Sequence, residues 1–224
     1  MGRIIQEKGE KGSLKWIQYI LNDHPNILDS SISKFLPDSH NQPIEWLSPL
    51  ADDDYAEYKD QTFLDLLEIK LTKKELKDFW PSQGPQWDAL ATFGDDGVIL
   101  VEAKAHINEM LSPGSQASAE SLEKINKALN RTKRFYKAKP GCDWSKRFYQ
   151  YANRLAHLYF LRELNGIDAY LVFVNFLNDP DLDGPKTERE WCAAIKVMHE
   201  ALGVRGEVLK KHVIDVFVDV GGLG

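Results

Sequence analysis

The chain has 224 residues, 43% apolar and 28% charged, with a formal net charge of −6. This is ordinary globular composition, enough for one compact domain of the larger kind with a real core. It excludes a membrane span, because no run approaches about 18 apolar residues, and the acidic balance argues against a wholesale nucleic-acid coat.

The N-terminus, MGRIIQEKGEKG, turns charged at once and has no signal-peptide core. Gln6 stands where a myristoylation site wants Ser or Thr. Cys142 and Cys192 fit no metal spacing, and two lone thiols point to a reducing cytoplasm. SLKWIQYILN (13–22) reads as a short amphipathic helix capped by Ser13. Residues 23–54 are turn-rich, with Pro25, Pro37, Pro43 and Pro49. Residues 55–70 and 71–80 read as helices.

Pro81 and Gly84-Pro85 then break the chain. Two strands follow, 87–93 and 98–106. A basic helix runs from about Ser118 to Lys137 and a second helix over 144–164. DAYLVFVNFL (168–177) reads as a buried strand. A helix carries Trp191, Ile195, Met198 and Leu202 at helical spacing, and 212–220 is a last strand. The class is therefore α/β with a central mixed sheet flanked by helices. A mainly helical region, 1–80, packs on a core of 81–224.

Charge is uneven along the chain. Residues 121–162 hold 11 Lys and Arg against 2 Asp and Glu, while residues 1–120 hold 11 against 21. Within the positive segment Lys124, Lys127, Arg131, Arg134 and Lys137 recur at three- and four-residue intervals. They form one helix stripe suited to a phosphate backbone.

The stretch WDALATFGDDGVILVEAKAH (87–106) carries the chemistry. VILV is continuous and apolar, as in a strand covered on both faces. Alternation then begins, with Glu102 and Lys104 on one face, where the strand is expected to leave the core. A two-residue turn would put Asp88 on the opposite face from Glu102. A three-residue turn, Asp95-Asp96-Gly97 with Gly97 left-handed, pairs Gly94 with Val98. Asp88 then lies opposite Lys104 with Glu102 diagonal to it. Two carboxylates so placed repel unless a hard cation neutralises them. A lysine beside them can orient an attacking water or stabilise the charge of a phosphoryl transition state.

An Asp opening one strand, a short hairpin and an apolar strand ending in E-A-K resemble the PD-(D/E)XK nuclease superfamily, the restriction-endonuclease-like fold. The likeness covers roughly residues 80–180, and Trp87 stands where the motif's proline would be. It implies Mg²⁺-dependent phosphodiester cleavage, with Mn²⁺ able to substitute and DNA ahead of RNA as substrate. Asp88, Glu102 and the Ala103 carbonyl would hold the metal, and Lys104 would serve the attacking water. Relatives place a helper side chain on the later helix, for which Gln150 and Arg154 are candidates. An upstream acid, Glu10, Glu57 or Glu68, would complete the site. The alternative is a module of the same fold that binds nucleic acid or protein without cutting. A third reading is an unrelated α/β domain with an ornamental hairpin. Oligomeric state stays open, a homodimer included.

Residues 179–190 match an EF-hand string. A strand precedes it and two prolines stiffen it, so Glu190 is read instead as closing a capping box with Thr187.

Overall fold

The computed structural model describes residues 2–37 and 43–223, so part of the turn-rich span, 38–42, lies outside the described residues. The elements run β1 (Arg3–Ile4), α1 (Gly12–Asp23), α2 (Asn26–Ser33), β2 (Ile44–Ser48), β3 (Glu57–Tyr58), α3 (Gln61–Leu66) and α4 (Leu76–Phe79). Then follow β4 (Ala89–Phe93), β5 (Gly97–Lys104), α5 (Ala119–Phe135), α6 (Tyr149–Tyr159), β6 (Ala169–Leu177), α7 (Glu188–Leu202), α8 (Gly206–Leu209) and β7 (Val213–Asp219).

Five strands form one mixed sheet in the order β2-β4-β5-β6-β7. β2, β4 and β5 are antiparallel, and β5, β6 and β7 are parallel. The α/β architecture is as the strand–helix alternation predicts. The N-terminal region does more than pack on a core starting at residue 81, because β2 is the sheet's edge strand. The two helices expected over 55–80 shrink to α3 and α4. Asp60 and Glu68, both at positive φ (52° and 53°), bracket α3, so the helix cannot continue through either.

Period-two alternation divides the sheet's contacts between two layers. Leu90, Leu100, Leu171 and Val213 join the core under α5, α6 and α7. Ala91, Ile99, Val172 and Val216 pack with Trp16, Ile17 and Ile20 of α1 and Leu28 and Ile32 of α2. β6 is buried at all nine positions, as its apolar run requires.

Two expectations for the hairpin are corrected. The turn is Gly94-Asp95-Asp96, with Phe93 opposite Gly97, so the register is offset by two residues from the expected one. Gly94, not Gly97, is left-handed, with φ 58°. Gly97 is glycine for a steric reason: a Cβ there would lie 2.4 Å from the Phe93 ring. The offset is even, so Asp88 keeps its face, but its place in the register moves from Lys104 to Glu102. The strand also fails to leave the core where the charges begin. Glu102 is 3% exposed and burial runs on through Ala103.

Candidate active site

Asp88 immediately precedes β4. Its N–H donates to the Val101 carbonyl at 3.2 Å, which ties it to the hairpin ladder. Its Oδ2 accepts from the Ala103 N–H at 2.7 Å. That N–H lies beyond the last paired residue of β4, so the side chain finishes what the ladder leaves open. Among the described residues no hydrogen bond takes Oδ1.

Glu102 is saturated. Lys104 Nζ donates to its Oε1 at 2.5 Å, and Arg154 Nε and Nη2 reach its Oε2 at 2.6 and 2.5 Å. Arg154 comes from α6 and is 5% exposed. It is fixed further by Asn153 Oδ1 at 2.8 Å, the Gln86 carbonyl at 2.7 Å and the Trp87 ring, 5.0 Å from the guanidinium carbon. Every edge of the guanidinium is thereby used, as a buried arginine requires.

Glu57, on β3, is the upstream acid that comes to this cluster; Glu10 and Glu68 are exposed. Its Oε2 accepts from Gln86 and, at 3.0 Å, from Gln6. Burial raises the Glu57 pKa, and the Glu102 charge adds to that. Burial and then Glu102 push Asp88 up to about 8, against the pull of Lys104. Burial alone would raise Glu102 too, but Arg154 and Lys104 overcome it and hold the group ionised. Lys104 is raised, because Glu102 and Asp88 outweigh its desolvation, so it keeps its proton at neutral pH. Asp88 and Glu57 are therefore the two carboxyls whose ionised form a bound cation would favour most.

Among the described residues no three His, Cys, Asp or Glu side chains converge to enclose a metal ion by themselves. Mg²⁺ asks less than that: one or two carboxylates, with water and substrate oxygens completing its octahedron. Among the described residues nothing hydrogen-bonds Asp88 Oδ1 or Glu57 Oε1, and Asp88 is the group most in want of a cation. The donor set is all oxygen and fits a hard divalent ion.

A cavity opens beside Lys104. Glu102, Lys104, Gln150, Phe173, Asn175 and Asp215 line it, with Tyr151, Ile195 and Met198 among the apolar walls. Gln150 is thus at the site but exposed, and Arg154 is inside it. The basic stripe is elsewhere. None of Lys124, Lys127, Arg131, Arg134 and Lys137 lines this cavity. All five are exposed, but only the first four lie on α5; the helix expected to reach Lys137 ends at Phe135, and Lys137 follows it at φ 52°. Lys127 pairs with Glu123 at 2.6 Å and Lys124 donates to the Lys77 carbonyl at 2.8 Å. The first three of them border a separate groove that also holds Asp78, Glu120 and Glu123.

His157 packs as a ring among Phe63, Phe79, Trp80 and Trp87. Burial pushes its pKa down to about 3. Thr187 and Glu190 form the expected capping box at the start of α7. Asn175 and Asp215 escaped the sequence reading. Their signal was the one that exposed Asp88 and Glu102, a polar residue inside an apolar strand run: VFVNF and VIDVF.

No family model, curated protein or solved structure matches the chain.

Proposed function

We propose that the chain is a Mg²⁺-dependent nuclease of the PD-(D/E)XK kind that hydrolyses phosphodiester bonds, with DNA as the first substrate to test. The observation that carries this reading is the cluster itself. Asp88, Glu102 and Lys104 come together at the C-terminal end of β5, with Glu57 as a third carboxylate nearby. The antiparallel β2-β4-β5 unit followed by helices and the parallel strand β6 supports the restriction-endonuclease-like assignment.

Asp88, Glu102, the Ala103 carbonyl and Glu57 are the groups that would hold the ion. When bound, it would polarise the phosphate and acidify a water. Lys104, protonated and anchored on Glu102, presents a donor toward charge developing on the phosphoryl oxygens. Arg154 keeps the Glu102 carboxylate ionised and fixed in direction.

A second reading also has an observation behind it. Glu102 already has two cations from its own chain and needs no metal for neutrality. A module of this fold that binds without cutting would look the same. One experiment separates the two. Single- and double-stranded DNA and RNA are incubated with Mg²⁺ or Mn²⁺ and wild type, Asp88→Ala or Lys104→Ala. Cleavage that needs metal and falls by about 100-fold or more in both variants is expected. Salt-sensitive binding with no cleavage by wild type supports the module instead.

A further inference from the structure

Asp215 has no role in the reading above, yet its position is costly. It lies within β7 between Val213 and Phe217, which join the core beneath the helices, where alternation calls for another apolar side chain. Among the described residues no cation pairs with it. Its neighbour is the Asn175 amide, which is 4% exposed, hydrogen-bonds the carboxyl, and also makes long bonds, at 3.3 and 3.5 Å, to the Phe173 and Val216 carbonyls.

The parallel register shows what Asp215 faces. Glu102, Phe173 and Asp215 stand in one row across β5, β6 and β7, and Lys104, Asn175 and Phe217 in the next. Strands about 4.8 Å apart put the Glu102 and Asp215 backbones roughly 10 Å from each other. Phe173 is the floor between them and the cavity lies above it. At about 30 Å³ the cavity suits water rather than a base or sugar, since a polar site needs about 10–15 Å³ per water.

Asp88 and Glu57 are assigned to the ion, and the other groups nearest the hairpin are already engaged. Lys104 holds its proton, Glu102 is occupied by two cations, and Asp88 is bound to the Ala103 N–H. We propose that Asp215 is the positioning residue that takes the proton of the attacking water, through water held in this cavity. The inference rests on the nuclease reading. As the new P–O bond forms, an O–H bond of the attacking water breaks. Its proton passes to a cavity water, which gives one of its own to the Asp215 carboxylate. The P–O bond to the leaving sugar oxygen breaks, and that oxygen takes a proton from solvent. Asp215 then returns its proton to solvent.

The groups around Asp215 permit this. From α6 comes Tyr151, whose hydroxyl is 2.7 Å from Nε2 of His199 on α7. From β5 come Glu102 and Lys104, and Glu109 follows in the turn Ile107–Met110. Burial pushes Asp215 up to about 6, so it is ionised at pH 7.5 and within reach of a proton.

The test is the pH dependence of single-turnover DNA cleavage by wild type, Asp215→Asn, Asp215→Glu and Lys104→Ala. Asp215→Asn is expected to cut about 100-fold more slowly with KM unchanged, and to lose a rate increase through pH 6 that wild type shows. Asp215→Glu should recover part of the rate with a shifted limb. Asp215→Asn should also melt at or above wild type at pH 7.5, because it removes a carboxylate ionised against its surroundings. A slow variant is then not an unfolded one. If it fails to fold, Asn175→Ala is read the same way and should lower kcat and shift the limb. Wild-type cleavage that Lys104→Ala abolishes and Asp215→Asn leaves unchanged at every pH overturns this inference alone. No metal-dependent cleavage by wild type overturns both readings.

Discussion

At the scale of single residues, the Glu102–Arg154 contact decides most. Both partners are almost fully buried; losing Glu102 leaves Arg154 without an acid, and losing Arg154 leaves Glu102 with Lys104 alone. Removing one member of a buried ion pair costs about 3–5 kcal/mol, whereas replacing the pair with apolar groups of similar volume is often neutral. Arg154→Met should therefore lower stability in urea by about that amount, and Glu102→Leu/Arg154→Met should recover most of it. A double variant as weak as the single would show that packing against Trp87, not charge, dominates. That pair was not legible in the sequence. Arg154 was a helper candidate on the later helix, as Gln150 was, but nothing in its spacing names a partner 52 residues away. That Glu102 and Lys104 share a face was legible, because strand parity is a local property; that Asp88 joins them hung on the turn having three residues. Which of them opposes Asp88 was not, because GDDG offers two glycines for one left-handed position.

At the scale of elements, the β4–β5 hairpin shows why. Gly94 takes the strained backbone and Gly97 takes the close contact, two different jobs for the same residue type. Gly97→Ala should cost about 1–3 kcal/mol through overpacking against Phe93. Phe93→Leu in the same chain should return part of that, measured by thermal melting of the two variants. Gly94→Ala has no such rescue, since its cost lies in the backbone. Long, strongly patterned elements such as α5, β6 and α7 followed their sequence signals within a few residues. The short ones, α3 and α4, did not. Asp60 and Glu68 accept positive φ in this fold, and a helix pattern does not foresee that.

At the scale of the molecule, charge is sorted. The α5 stripe is exposed and lies apart from the cavity, on a protein that is acidic elsewhere. If DNA is gripped there, reversing Arg131, Arg134 and Lys137 to Glu should weaken binding at least tenfold at low salt and flatten the salt dependence of the affinity. A Lys104→Ala control should leave the salt slope unchanged. Filter binding at several salt concentrations reads both. A triple variant that binds as wild type would remove α5 from the interface while leaving the hairpin cluster untouched.

The bond between Glu102 and Arg154 is also a clasp. It closes a loop of about fifty residues in which α5 hangs, so this basic helix is tethered at both ends to the same buried contact. Lengthening such a loop changes closure entropy only slightly. Extra residues inserted between Leu111 and Ser118 should leave the clasp shut. A break there does something different in kind: it turns an intramolecular closure into an encounter between two pieces, and the cluster would then assemble only as fast as those pieces meet.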